Sequence, residues 1–499
     1  MENLEPLRNE LRRLLDAHHE WLLIRASGRS FALRKNEIEA TCERGRLLLG
    51  FLDEQGFQTW RVIDFKTKGD AISLNLTRNF ERERSKFRLV PRVAANHLSA
   101  AVELARLEKV HRLAALLAEQ NSRIKLVRVA LNQENGRFAQ IVFEDARRRQ
   151  TAVFSDVSES LTPEVIMTAA ILWLAKLARR KKNPVESIWI AAEKRAARKL
   201  QKLHALLTES WKAKILIKEI SREAAQAQSE EVIADLPALR VADLWRAARR
   251  EIKPAEPASS SRAAREIIAF APGAIDAVRS ARGETLRFNG LPFARVRTVF
   301  GRERVWFGIE RARRLLTEDN SDELTELLAN LRKFRRADSP NKRHAFYRTA
   351  PEAWLEAALR RNIKLLDANL ILSPLYQQFR AGQARVDLLA LRRDGRLVIV
   401  ELKTSADRAA VFQAAEYWRR IELQRRRGAL REARLFGELE IADAPAICYL
   451  VAPRLAFHRD FEFLAGTLAP EIEIHRFNLA ENWRENLKVF DRSTTFRKS

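Results

Sequence analysis

The hydrophobic pattern changes character several times along the chain. Residues 1–20 carry apolar positions at helical spacing and predict an amphipathic helix. From Glu20 to about Val93 the pattern turns to short apolar runs: "EWLLIRAS", "RSFALRK", "GRLLLGFL", "TWRVIDF", "AISLNLTR" and "KFRLVPR". Gly, Asp and Asn punctuate these runs, which predicts a small antiparallel β-domain. Residues 97–230 alternate instead. A helix (97–120) precedes strands in "RIKLVRVAL", "RFAQIVFED" and "TAVFSDV". A helix (163–180), a strand "SIWIAAE", a helix (193–210) and a strand "AKILIKEI" follow. That alternation predicts an α/β layered domain.

Periodicity is lost over 222–265, and "EIKPAEPASSSRAAREI" (251–267) has the Pro, Ala and Ser content of a linker. A β-element, "GETLRFNGLPFARVRTVFGRERVWFGIE" (283–310), and a helix near 321–336 come next. The final stretch has a helix in "RTAPEAWLEAALRRNIKLL", strands in "SPLYQQF", "RVDLLAL" and "RLVIVELK", a helix over 405–427, and strands in "AICYLVA" and "EIEIHRFN". The expected fold is therefore mixed α/β and multidomain. Its segments are 1–95 (helix plus antiparallel β-domain), 96–225 (α/β), 226–267 (helical or linker), 268–340 (small β-element plus helix) and 341–499 (α/β). Length alone, 499 residues, predicts about three domains.

Charge adds a partner. Lys and Arg number 91 against 65 Asp and Glu, for a net charge of +26. Such an excess favours a polyanion, nucleic acid before an anionic membrane. An Arg-rich, Ala-rich composition without that purpose is the plainer explanation. No apolar run of membrane-spanning length occurs, and "MENLEPLRNELRRLLDAHHEW" lacks the apolar core of a signal peptide. Cys42 and Cys448 are the two cysteines. They form no disulfide framework or zinc knuckle and suit a reducing cytosol, so a cytoplasmic protein is expected.

Candidate chemistry sits in "VDLLALRRDGRLVIVELKTS" (386–405). Asp394-Gly395 is a hairpin turn signal between two apolar strands. Glu401 and Lys403, two apart on one strand, project together, while Leu402 points into the core. Pairing across the turn brings Asp387 close to Glu401. Two adjacent carboxylates repel, and each is costly to bury. A divalent cation relieves both costs, with the Leu402 carbonyl as a third oxygen ligand. Lys403 then orients or deprotonates an attacking water, or stabilises charge developing on phosphorus. On the preceding helix, Glu352 and Glu356 share a face.

An Asp, about fourteen residues, then Glu-x-Lys at a strand end resembles the PD-(D/E)xK nuclease superfamily. The helical Glu before it and Gln413 and Tyr417 after it ("QAAEYW") are most similar to its RecB-like and NucS-like branches. The resemblance covers roughly residues 340–490 and implies a restriction-endonuclease-like core. It implies Asp387 and Glu401 as metal-binding acids, Lys403 as the catalytic lysine, and Glu356 or Glu352 as the first-helix acid, with Glu356 preferred. It also implies Gln413 beside the site, Mg²⁺ or Mn²⁺ as cofactor, and DNA as substrate. Val386 replaces the motif's proline. Cutting both strands of a duplex with one site per chain implies a homodimer, and repair or defence is the compatible setting. A non-catalytic nucleic-acid-binding or scaffold protein and an RNase are the competing readings.

The middle segment follows the strand, strand, strand, helix, strand order of the last one, but offers only Glu144 and Asp156, with no lysine two residues on. A copy that kept binding and lost chemistry and an unrelated α/β domain both remain open, the second favoured. Arg425, Arg426 and Arg427 suit either phosphate contacts or a helix end; Arg380 and Arg385 suit surface charge. Trp483 reads as an anchor before a stacking residue, and His18, His19, His344 and His458 as structural.

Overall fold

The computed structural model describes residues 4–25, 30–43, 45–53, 56–78, 83–92, 95–225, 228–246, 260–280, 283–299, 302–309, 313–372 and 387–494. It is mixed α/β and forms two compact units, residues 1–201 with 213–238, and 202–212 with 239–499.

The first unit opens with α1 (Glu5–Asp16) and strands β1 (Glu20–Arg25), β2 (Ser30–Arg34), β3 (Ile38–Glu43), β4 (Arg46–Asp53), β5 (Gly56–Lys68), β6 (Ala71–Arg78) and β7 (Glu83–Pro91). They pair antiparallel in the order β2-β1-β7-β6-β5-β4-β3. Inward residues, among them Trp21, Leu49, Phe51, Trp60 and Phe87, form one core with Leu11 and Leu15 of α1. The strand β3, "IEATCE", went unread in the sequence. It is an edge strand whose inward residues Ile38 and Ala40 alternate with glutamates, so it has no apolar run.

A second sheet follows in the same unit. Its elements are α2 (Ala95–Gln120), β8 (Lys125–Leu131), β9 (Phe138–Glu144), β10 (Gln150–Asp156), α3 (Pro163–Ala178) and β11 (Ser187–Glu193). The chain then passes through α4 (Lys194–His204) and α5 (Glu209–Lys212) to β12 (Ile215–Ala225) and β13 (Gln228–Asp235). The last strand falls in the 226–267 segment that the sequence reads as helical or linker, where hydrophobic periodicity is lost. It is an edge strand whose opening "QSEE" is polar, and Ile233 packs against the core.

The second unit takes in α5 and, from residue 239 on, α6 (Arg262–Ala269) and the antiparallel strands β14 (Ile275–Ser280), β15 (Gly283–Phe288), β16 (Leu291–Val299), β17 (Arg302–Phe307) and β18 (Arg314–Leu315). The helix α7 (Ser321–Phe334) buries Leu324, Leu328 and Leu331 in the same core as Phe288, Phe293 and Phe307. The short α8 (Ala345–Arg348) and α9 (Pro351–Arg361) lead to the last sheet. It contains β19 (Leu370–Leu372), β20 (Leu388–Arg392), β21 (Leu397–Leu402), β22 (Ile447–Pro453), β23 (Glu473–Leu479) and β24 (Val489–Thr494). Helices α10 (Ala410–Arg426) and α11 (Ala429–Glu432) join β21 to β22, and α12 (Phe461–Ala465) joins β22 to β23. The expected strand at 373–379 lies outside the described residues, as do Arg380 and Arg385.

The two six-stranded sheets share one plan. Both run in sequence order, β8 to β13 and β19 to β24. In both, strands one, two and three are antiparallel, three, four and five are parallel, and the sixth is antiparallel again. In both, a long helix bridges strands three and four, α3 in the first and α10 in the second.

Candidate active site

The hairpin β20–β21 is set by its turn. Gly395 has φ +81°, a left-handed conformation that costs glycine little. Its carbonyl accepts from Ala442 N–H at 2.8 Å. Asp394 accepts from Arg392 Nε at 3.0 Å and from Arg396 N–H at 3.2 Å. The Arg392 hydrogen bonds, the largest influence, hold the Asp394 carboxyl down at about 2. Every residue of β21 is buried, as expected for a strand covered on both faces.

The chemistry gathers where that strand ends. The pairing Leu388↔Val400 sets Asp387, one residue further out, opposite Glu401. Leu402 N–H donates to Asp387 Oδ2 at 2.9 Å. Glu401 is 3% exposed, and its Oε1 lies 3.0 Å from Lys403 Nζ. Lys403 also reaches Asp407 Oδ2 at 3.4 Å. Burial, reinforced by the charges of Glu356 and Glu352, pushes Asp387 up to about 6, against the pull of the Leu402 amide. Burial and then Asp387 push Glu401 well above the usual carboxylate range. Burial alone would lower Lys403, but Glu401 and Asp407 outweigh it, and the ammonium's pKa is raised.

Among the described residues, the buried Glu401 Oε2 and Gln413 Oε1, the latter on the first turn of α10, have no hydrogen-bond partner. An orphaned carboxylate oxygen at a buried position is an unusual cost in a folded chain. Its natural partner is a cation. Among the described residues, no three His, Cys, Asp or Glu side chains converge as a ready-made metal cage. Asp387 and Glu401 are the two facing carboxylates that could hold an ion here, with water completing its coordination. That is the coordination Mg²⁺ accepts.

The helix α9 supplies both acids foreseen on it, in different settings. Glu352 Oε1 accepts from Thr404 N–H at 3.4 Å, just past Lys403, and its charge acts on Asp387, Glu401 and Lys403. Glu356 also acts on Asp387, but it is 5% exposed and its Oε1 accepts from Arg287 Nη1 at 3.3 Å. Arg360 Nη1 lies 3.6 Å from the same oxygen. Arg287 in turn donates to Asp276 at 3.1 Å.

The seat of α9 comes from the small β-element, for which the sequence suggested no role. Gly290, at the β15–β16 turn, has φ +80°, and a Cβ there would meet the Ala353 carbonyl oxygen at 1.9 Å. The fully buried Arg335 donates to the carbonyls of Phe288, Phe346, Thr349 and Ala350 at 2.7–3.3 Å and stacks 4.8 Å from the Trp354 ring. Burial pushes it down to about 9, still charged at neutral pH. Arg287, Arg335 and Gly290 thus position the first turns of α9.

Several other candidates have structural partners. Arg425 pairs with Glu422 and Asp443, Arg426 lies 4.5 Å over the Trp245 ring, and Arg427 donates to the Trp245 carbonyl. Trp483 is 4% exposed, with its ring edge toward Trp354. His344 stacks on Phe334, and His18 meets Trp21 edge-on.

In the first unit, Asp156 ends β10, much as Glu401 stands one residue before the end of β21, but it caps its own loop. It accepts from Ser158 N–H, Ser158 Oγ and Leu161 N–H at 2.7–3.1 Å. Glu144 pairs with Gln150, and Asp156 with Phe138, so the two acids stand at opposite ends of the hairpin.

No known family profile matches the chain, and no curated protein is similar to it. A solved structure described as "Structure of EndoMS in apo form" aligns at 10% identity over 40% of this chain and 91% of that one, with a TM-score of 0.14. A superposition that loose carries no argument about chemistry. Among the described residues, no helix is long and apolar enough to cross a membrane.

Proposed function

We propose that residues 341–499 form a Mg²⁺- or Mn²⁺-dependent nuclease domain of the PD-(D/E)xK kind, hydrolysing phosphodiesters in DNA. One observation carries this reading: the buried Glu401, with Oε2 unpartnered, stands opposite Asp387 while its other oxygen holds Lys403 at 3.0 Å. A bound divalent cation would offset the crowded negative charge and polarise the scissile phosphate. Asp387 and Glu401 would hold it. Lys403, fixed between Glu401 and Asp407, is placed as a donor to the phosphate oxygens as charge grows on them. A water oxygen attacks phosphorus, the phosphorus–oxygen ester bond breaks, and the departing oxygen takes up a proton. Glu352, beside Thr404, serves as the helix acid, and Glu356 anchors α9 through Arg287 and Arg360.

The net charge of +26 supports a polyanionic substrate. Segments 1–95 and 96–225 would then recognise or position it. One site per chain cuts one strand, so a double-strand break requires two copies. The deciding experiment is a cleavage panel of plasmid, structured DNA and labelled RNA, with Mg²⁺ or EDTA, for the wild type and Lys403→Ala. The expected result is Mg²⁺-dependent cleavage of DNA that falls at least about 100-fold in Lys403→Ala. Binding without cleavage on every substrate would replace the enzyme with a binding module. Cleavage confined to RNA would make it an RNase.

A further inference from the structure

The sheet that carries Glu401 continues past it toward β24. Register sets Glu401 opposite Leu450, Leu450 opposite Arg476, and Arg476 opposite Ser493. Paired residues of neighbouring strands share a face. Glu401, Arg476 and Ser493 therefore stand in one row on one face, roughly 14 Å end to end at about 4.8 Å per strand. Two residues further along β23, Asn478 pairs with Asp491 on the same face. These four side chains of β23 and β24, with Arg454 and Phe490, line a cavity of 220 Å³.

Its walls differ in chemistry. The β23–β24 register shifts at Asn478/Leu479, which leaves Phe490 without a paired partner between Val489 and Asp491. Such a bulge re-aims a side chain. Phe490 is 68% exposed, an aromatic ring held in water on an edge strand, with the Arg454 guanidinium 5.8 Å from its centre. Arg476 is pinned 4.2 Å over the Phe457 ring and 3.6 Å from Glu462. Arg476 Nε donates to Asn478 Oδ1 at 3.0 Å, and Asn478 Nδ2 donates to Asp491 Oδ2 at 3.3 Å. The inner wall thus ends on a carboxylate with acceptor capacity to spare. A phosphate there would be repelled, whereas the amino edge of a base would be accepted. A ring face, an acceptor edge and a flanking cation are what an unstacked nucleotide needs.

On the nuclease reading above, we propose that this cavity is a nucleotide subsite. It takes one unstacked base of a single-stranded segment, stacked on Phe490, with its amino edge at Asp491 and its phosphate at Arg454. The cavity lies on the sheet face that carries Glu401, with the buried Leu450 between them. The substrate class is then nucleic acid with a short unpaired stretch beside the cut, rather than uniformly paired duplex.

The test is fluorescence anisotropy in EDTA with the full chain, using a labelled cytosine-rich single-stranded DNA oligonucleotide and its fully paired duplex. The single strand should bind more tightly. Phe490→Ala should weaken its binding about tenfold, and Phe490→Tyr should restore it. Arg454→Gln, also on the surface, should weaken it too. Equal affinity of wild type, Phe490→Ala and Arg454→Gln for the single strand overturns the subsite, as does tighter binding of the duplex. Cleavage with Mg²⁺ is scored separately. Phe490-dependent binding without cleavage upholds the subsite and removes the nuclease. Mg²⁺-dependent cleavage with binding indifferent to both substitutions removes the subsite and leaves the nuclease.

Discussion

Glu352 and Glu356 lie one helical turn apart and have different partners. Glu356 sits among arginines with its side chain 6% exposed, and Arg287 beside it is 4% exposed. Removing the charge of a buried partner of this kind costs about 3 kcal/mol. Glu356→Gln should therefore lower the melting temperature clearly in the metal-free protein. Glu352→Gln should leave melting nearly unchanged and reduce Mg²⁺-dependent cleavage at least tenfold. Thermal melts and cleavage rates measured side by side separate the two roles. The reverse pattern would reassign the helix acid to Glu356. A second residue-scale prediction concerns acid. Asp394 titrates near 2 in the folded chain, below about 3.9 for an unfolded aspartate. Its ionised form therefore stabilises the fold above about pH 4, and that contribution fades as pH falls toward 2. Asp394→Asn should lower the melting temperature at pH 7, and the difference from wild type should close by pH 2.

At the scale of elements, the hairpin that carries Asp387 and Glu401 was readable from sequence because everything that makes it is local. The two-residue period puts Glu401 and Lys403 on one side, and Asp394-Gly395 closes the turn. The edge strands β3 and β13 were not readable, since neither carries a continuous apolar run: β3 alternates Ile38 and Ala40 with polar residues, and β13 opens on Gln228, Ser229, Glu230 and Glu231. The choice between Glu352 and Glu356 was hidden for another reason. The face of α9 that meets the sheet is fixed partly by Arg287, 69 residues away in sequence. No periodicity within α9 encodes that contact. The same dependence gives a test of the buttress. Gly290→Ala drives a methyl carbon into the Ala353 carbonyl, a backbone atom that cannot step aside. It should depress both stability and cleavage although it lies outside the site. A variant with wild-type melting and turnover would show that α9 does not depend on that turn.

For the whole molecule, the repeated strand plan is the main finding that the linear pattern only outlined. The order of elements in 97–230 was legible, but strand direction and pairing arise from long-range contacts. In the first-unit sheet the acid at the end of the third strand is spent on its own loop, through Ser158 and Leu161. Asp156→Ala should thus cost about 1 kcal/mol of stability, seen in denaturant melts, and leave the rate of cleavage at saturating substrate unchanged. A loss of turnover comparable to that of Lys403→Ala would mean that both sheets take part in chemistry.

Arg335 also bears on the order in which the protein is made. Its carbonyl partners lie on both sides of it, at Phe288 and Asn289 before and at Phe346, Thr349 and Ala350 after. Synthesis runs from the N-terminus, and upstream segments fold first. On the ribosome, the β15–β16 turn and α7 are complete before α9 and the acidic hairpin emerge. The acceptors at Phe288 and Asn289 are thus made before Arg335, and those at Phe346, Thr349 and Ala350 after it. A chain released before residue 387 carries the dock without Asp387, Glu401 or Lys403, so on the proposed nuclease reading it cannot cut.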